Sequence, residues 1–437
     1  MPDFYRLKPH GGPSPALLGI GRQSFANAYL LITDPDDCLA VSNTCIKKSF
    51  VYDFLERASG SGVFTSDLES WKRYRKLISM SFSISMINEY MTTFNCKAKQ
   101  LVSGISFQAG KAPFIPDEIL TKFTFETTCT TLNLKPDAII DGSFVHLTDE
   151  LCKVYWERFI KFWLHNDTLY SWSSLRKRED KLLEPYMAYV TKPPHCPFTD
   201  FRNFIIIYFS GTNKKPLLDL LLHVQETKDE FTDREIRHNL ITILFASYDT
   251  TSKTLVYILL VIGSHKCVQE RIYEELQEVF GDSKRDVDKQ DLSKLTYLEA
   301  VIKETMRLYP VGAFVSRSSD TEVKLKKSTI PAGSDILILS YAVNRHQIWG
   351  PDADEFRPER WLEPGGVPDN PNAFASFSIG KRSCIGKQYA MMLMKVTLAH
   401  LLRRYQVTGD VGKLKVQFDN IIMGPKSGHE ISLVSLV

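Results

Sequence analysis

Residues 377–386 read FSIGKRSCIG: one thiol, Cys384, framed by Gly380 and Gly386, with Lys381 and Arg382 just before it and Phe377 seven residues upstream. A structural cysteine packs as a small hydrophobe and needs none of these neighbours. Nothing in the loop supplies a disulfide partner. A thiolate that ligates a metal has different needs: deprotonation, shielding from bulk water, backbone N–H donors that tune the sulfur, and close approach of main chain. Glycines and a nearby cation suit that chemistry. A second polar group, ASYDTT at 246–251, interrupts a segment that is apolar on both sides, and Asp249, Thr250 and Thr251 there form a polar notch in a helix. The Thr250 hydroxyl can bond back to the carbonyl one turn earlier. A third feature pairs Glu304 with Arg307 at i, i+3. Alone it is a weak signal, because a surface pair of this kind contributes under about 1 kcal/mol.

The elements that must position these residues are mostly helical. From Thr232, TDREIRHNLITILFASYDTTSKTLVYILLVIG reads as one long helix, with Thr232 as N-cap and Glu235 completing a capping box. KLTYLEAVIKETMRLYP, 294–310, is a helix ended by Pro310. Residues 322–344 alternate enough to predict a small hairpin turning at Pro331-Ala332-Gly333, and DEFRPERW, 354–361, reads as a loop. The stretch 385–405 is a helix apolar nearly all round and therefore buried. Its N-terminus favours an anion, next to Cys384 in the chain.

The chain has 437 residues, 43% hydrophobic and 11% aromatic, with no linker or internal repeat, which predicts one domain over 1–437. A net charge of +3 gives no reason to expect a nucleic-acid partner. Eight cysteines at irregular spacings form no disulfide framework or zinc ribbon, which points to a reducing compartment. No apolar run reaches the roughly 18 residues of a membrane span, and the start lacks the apolar core of a signal peptide.

ASYDTT, E-x-x-R, F-R-P-E-R-W and F-S-I-G-K-R-S-C-I-G stand in one order along the chain. Together they resemble the cytochrome P-450 superfamily of haem-thiolate monooxygenases, from about Gly11 onward. The signature F-x-x-G-x-R-x-C-x-G is matched at Phe377, Gly380, Arg382, Cys384 and Gly386. The resemblance implies a mainly α fold with small β-sheets, and a haem b buried between the long central helix and the cysteine loop. It makes Cys384 the axial iron ligand, with Phe377 near the proximal haem face and Gly386 allowing close helix approach. Trp71 and Arg75 match a W-x-x-x-R helix that binds a haem propionate. Arg382 and Arg317 are further propionate contacts, and Glu304, Arg307 and Arg360 resemble a buried ion network. Asp249 and Thr250 match the acid–alcohol pair that passes protons to the oxygen under reduction, a step that monooxygenation requires.

The details are most similar to the animal family 4 branch. Many members carry a glutamate at the position of Ala246 that esterifies the haem; alanine cannot, so the porphyrin is expected to be held without a covalent bond. Ser247 replaces a usual glycine and Ser376 a usual proline. The resemblance further implies O2 insertion into a lipophilic substrate: a fatty acid, another endogenous lipid or a xenobiotic. Electrons would come from NADPH through a separate NADPH–cytochrome P-450 reductase, with cytochrome b5 as a further partner. Lys72, Arg73, Lys76, Lys381 and Lys387 are expected to offer that partner a basic face. Substrate contacts are expected from 52–66, 155–210, Leu244–Thr251, Val311–Val315 and Ile421–Pro425, with Phe159, Phe162, Trp163 and Phe314 among them. The expected place is the cytosolic face of the endoplasmic reticulum membrane, although only ten residues precede the proline-rich stretch from Gly11, so the sequence is expected to be either a truncated form or a variant without the anchor, and residues 1–30 read as shortened. Two alternatives stand beside the monooxygenase: a haem-thiolate peroxide isomerase or dehydratase, which Asp249 and Thr250 count against, and a non-catalytic haem-binding remnant.

Overall fold

A computed structural model describes residues 16–18, 29–134, 143–191, 215–228, 230–417 and 420–436. Most of the N-terminal stretch expected to be shortened, and residues 192–210 of the expected substrate segments, lie outside them. The chain forms two compact units, the first made of 1–54, 158–172 and 300–384, the second of 55–157, 173–299 and 385–437. Helices dominate, with small separate sheets, as the sequence predicts.

The first unit carries strands β1 (Ala16–Leu18), β2 (Tyr29–Ile32), β3 (Val315–Ser318), β4 (Val323–Lys324), β5 (Thr329–Ile330) and β6 (Asp335–Ile338). Four of them form one sheet in the order β1-β2-β6-β3, with β2 parallel and β3 antiparallel to β6. Successive side chains of a strand point to opposite faces, so β6 turns Ile336 and Ile338 into a core shared with Ile32, Cys38, Val41, Val343, Ala375 and Ile379. Cys38 and Val41 belong to the helix Pro35–Thr44, which starts on a proline behind an Asp34 cap that accepts from the N–H groups of Asp36 and Asp37. The hairpin expected to turn at 331–333 turns earlier. β4 pairs with β5 across Leu325–Ser328, where the Leu325 N–H donates to the Ser328 carbonyl at 2.8 Å. Gly333, at φ +79°, instead hands the chain to the larger sheet, because β6 finds a parallel partner in β2 that the local sequence does not announce. The FRPERW loop contains one 3-10 turn, Pro358–Trp361.

The second unit is organised by the long helix Asp233–Ser264, which starts at the expected capping box: Glu235 N–H donates to Thr232 Oγ1 at 3.2 Å, and Thr232 N–H to Glu235 Oε2 at 2.8 Å. It packs on the helix Asp117–Thr131 through Phe125 and Tyr248, ring centroids 5.3 Å apart. The helix after Cys384 runs Lys387–Leu402, shorter than the expected 385–405 because Tyr405 opens β7 (Tyr405–Thr408), and every residue from Leu393 to Leu402 is buried. Strand β8 (Lys415–Gln417) pairs with β9 (Gly424–Ser427), and β10 (Ser432–Ser435) with β7, both antiparallel. Among the described residues no helix is long and apolar enough to cross a membrane.

Candidate active site

The Cys384 loop is fixed by its backbone. Cys384 N–H donates to the Phe377 carbonyl at 2.8 Å and Ser383 N–H to the Gly380 carbonyl at 3.0 Å. The reversal needs two residues in the left-handed region, Ser378 at φ +60° and Gly380 at φ +71°. Gly380 is also required by space, because a Cβ there would stand 2.7 Å from Ser42 Cβ. Cys384 is exposed and forms no disulfide. Phe377 meets Phe374 edge-on at 6.5 Å. Ser376, where the resemblance expects proline, ties the loop to its surroundings: its hydroxyl donates to the Met306 carbonyl at 2.8 Å and accepts from Asn344 Nδ2 at 2.8 Å. Gly386 caps the following helix, its carbonyl accepting from Ala390 N–H at 2.8 Å.

Beneath the loop lies the ion network. Arg307 grips Glu304 with two bonds of 2.9 and 2.8 Å, and Arg360 Nε adds a third at 2.9 Å, all three side chains being fully buried. Arg357 N–H and Trp361 Nε1–H complete the carboxylate at 3.1 and 2.9 Å. Burial alone would raise the Glu304 pKa; these donors outweigh it and hold the carboxyl below its usual range. Asn344, also fully buried, joins network to loop, accepting from Ala375 N–H at 2.7 Å while its own carbonyl accepts from Arg307 at 2.9 Å.

In the second unit the notch lies on an unbroken helix. Thr250 Oγ1 donates to the Ala246 carbonyl at 2.7 Å, the back-bond the sequence predicts. Ala246 is exposed and Ser247, Asp249 and Thr250 are partly so, whereas Leu244, Tyr248 and Thr251 are buried. Asp249 is ion-paired with Lys253, one turn on. Trp71 and Arg75 lie one turn apart on the helix Leu68–Ser81, Trp71 buried and Arg75 partly so. Arg73 departs from the expected basic face: it is paired with Glu235 and lies 5.1 Å from the Phe231 ring centre. Lys72 and Lys76 stand exposed on the same helix.

The pattern of the Cytochrome P450 family matches residues 38–432. The chain belongs to the cytochrome P450 family. Among its relatives are the "Probable cytochrome P450 4s3" of Drosophila melanogaster, 30% identical over 92% of this chain and 82% of that protein, and the "Cytochrome P450 4V2" of Mus musculus, 29% identical over 91% and 78%. "Cytochrome P450 4c21" of Blattella germanica is 28% identical over 88% and 78%. These relatives place the cytochrome P450 in the family 4 branch, as a monooxygenase whose cofactor is haem b held by a cysteine thiolate.

The first unit fits the acidic edge of that cofactor. Three arginines are among the largest fully buried side chains of this cytochrome P450: Arg307, Arg360 and Arg317. The first two share Glu304; Arg317, 2% exposed, has no carboxylate partner among the described residues, and its Nε makes no hydrogen bond. A buried charge without a counter-ion is costly, and burial pushes the Arg317 pKa down. More cations crowd beside it. Arg382 Nε donates to the Ile46 carbonyl at 3.1 Å and Ser318 N–H to the Lys47 carbonyl at 3.0 Å, so segment 46–48 lies between the cysteine loop and β3. Burial, then the charges of Arg317 and Arg382, push the Lys48 pKa well below its ordinary value. Such a set suits the carboxylates of a porphyrin.

Lys48, Asn344 and Lys253 escaped the sequence reading. Lys48 acts beside Arg317 and Arg382, hundreds of residues away, and Asn344 through Arg307, Ala375 and Ser376, more than thirty residues away, whereas Lys253 was visible in principle as a D-x-x-x-K pair, a spacing common on ordinary helix surfaces. Of the expected substrate aromatics, Phe159 stacks on Phe314 at 5.6 Å, while Phe162 and Trp163 are 37% and 51% exposed.

Proposed function

We propose that Cys384 is the thiolate ligand of a haem b, and that this cytochrome P450, acting as one catalytic domain, inserts one oxygen atom from O2 into a lipophilic substrate: a fatty acid, another endogenous lipid or a xenobiotic. The carrying observation is Arg317, a buried guanidinium lacking a carboxylate partner among the described residues, beside Arg382 and Lys48 in the unit that presents Cys384. Arg317, Arg382 and Lys48 are proposed to hold the propionates through charge-assisted bonds, a role that the family resemblance also gives Trp71 and Arg75. Gly380 and Gly386 keep the loop tight, and Phe377 lies against the porphyrin. When bound, the haem supplies the activation of O2 by two successive electrons.

The chain's own residues then manage protons and water. Asp249 takes up a proton from solvent and Thr250 passes it on, which requires the Thr250 hydroxyl to exchange its bond to the Ala246 carbonyl for one to the water or oxygen being protonated. The apolar residues flanking the notch limit water entry, so reduced oxygen leaves as water with the hydroxylated product rather than as peroxide. Because Ala246 cannot form an ester, the thiolate and non-covalent contacts, polar and apolar, retain the porphyrin. Electrons are proposed to come from NADPH through a flavoprotein reductase, with cytochrome b5 as a second donor and Lys72 and Lys76 in the docking face, at the cytosolic side of the endoplasmic reticulum membrane.

Turnover of a panel of fatty acids and apolar aromatics with NADPH and reductase under 18O2 tests this reading. Product carrying one 18O atom is expected. Oxygen taken from water, or isomerisation of a hydroperoxide without reductase, would move the assignment to the isomerase class.

A further inference from the structure

The acid of the notch does not stand free. The Lys253 ammonium is ion-paired with Asp249 Oδ1 at i, i+4, the two side chains being only 17% and 13% exposed. Two other parts of the second unit close on this lysine. Gly424, which opens β9, faces its stem so closely that a Cβ there would stand 3.3 Å from Lys253 Cε and 3.6 Å from Cδ. The helix Ser143–Ile160 turns Asp149 and the buried Cys152 toward the pair, and Asp149 is itself held by Asn420 Nδ2 at 2.8 Å and Lys153 Nζ at 2.7 Å. Burial alone would lower the Lys253 pKa; the carboxylates of Asp249 and Asp149 outweigh it and raise the value, so the lysine is an ammonium at neutral pH.

The arrangement constrains the relay. Thr250 is bonded to the Ala246 carbonyl and Asp249 to Lys253, so neither member of the acid–alcohol pair is bonded to the other. Residues 249 and 253 share a helix face, and Thr250 points about 100° away from Asp249 around the axis. We propose that Lys253 is a positioning residue of the proton relay: it fixes the Asp249 carboxylate in one orientation from which protons are passed toward Thr250, and it ties that acid to the turn 420–424. The proposal rests on Asp249 and Thr250 being the relay. Without the ammonium, a largely buried carboxylate loses its partner and turns to solvent, opening the notch to water.

The test compares haem-loaded wild type, Lys253→Met, Lys253→Arg, Asp249→Asn and the Asp249→Asn, Lys253→Met double variant. Lys253→Met is expected to raise the share of electrons leaving as hydrogen peroxide (O2 + 2e⁻ + 2H⁺ → H2O2) several-fold, and Lys253→Arg to restore it. In the Asp249→Asn background, Lys253→Met is expected to change neither the peroxide share nor Tm further, since its effect passes through the carboxylate. An unchanged or lowered peroxide share in Lys253→Met, or effects that add in the double variant, would overturn the proposal. Should Lys253→Met fail to fold, the double variant decides: a folded double variant supports a role through Asp249, and an unfolded one shows an independent structural role and overturns it. The carbon monoxide spectrum of the wild type separates this failure from that of the underlying reading, because a wild type lacking the thiolate band sinks the haem assignment itself.

Discussion

The Cys384 loop and the Ala246–Thr251 turn are both polar interruptions in apolar surroundings, and they are built in opposite ways. The loop depends on backbone: two left-handed residues, hydrogen bonds that fold Cys384 back on Phe377, and Asn344 and Ser376 tying it to a fully buried ion network. The turn is ordinary α-helix, with its chemistry carried by the side chains of Asp249, Thr250 and Lys253. The difference teaches where each property is stored. On the proposed reading, ligand geometry is stored in the fold and is lost with it; proton handling is stored in replaceable groups and can be lost while the fold stands.

The largest expected effect is at Glu304. Glu304→Gln leaves Arg307 and Arg360 without their shared counter-charge and should destabilise the protein by about 3–5 kcal/mol, read as a fall in Tm. A loss under about 1 kcal/mol would show that the network does not carry the loop. Its acid dependence has a definite sign. Because the folded Glu304 pKa is below its unfolded value, its contribution is fully present above the ordinary carboxylate range, and is lost only as pH falls through and below that range. Unfolding free energy followed from pH 8 to 3 should therefore lose this contribution only at the acid end, and Glu304→Gln should remove that part of the slope.

Gly380→Ala comes next. It combines an unfavourable φ with a Cβ clash against Ser42, whereas Gly110, at φ +74°, has nothing within 4 Å of a Cβ. The alanine at 380 should cost about 1–3 kcal/mol and weaken haem retention, and Gly110→Ala about 1 kcal/mol or less, with haem retained. Equal effects would mean that the approach to Ser42 carries nothing. Ser376→Ala, which removes a donor and an acceptor, is expected to cost about 1 kcal/mol. At the far end of the scale, Thr250→Ala should leave stability within about 0.5 kcal/mol of wild type. Yet product formed per NADPH should fall by about tenfold or more as peroxide replaces it. If Thr250→Ala instead unfolded the protein, the contrast between the two regions would fail.

The sequence made the two regions unequally legible. Gly380 and the capping box at Thr232 could be read because each requirement is local: a turn needs its glycine and a helix start its cap. The long helix was legible for the same reason, since an apolar period over thirty residues outweighs one polar turn. The hairpin was misplaced because the partner of β6 is β2, some three hundred residues away. Asn344 and Lys48 stayed hidden likewise: nothing beside them in the chain says that one holds Ala375 or that the other lies beside Arg317 and Arg382. Arg73 misled because a basic run looks alike whether its members face solvent or pair with a partly buried Glu235.

The most direct measurement is the carbon monoxide difference spectrum of the reduced, haem-loaded protein, taken beside Cys384→His. Wild type should give the Soret band peculiar to thiolate-ligated ferrous haem, and the histidine variant should lose that band while still binding haem through Arg317, Arg382 and their neighbours. A wild type without the band, or a histidine variant that keeps it, would contradict Cys384 as the ligand.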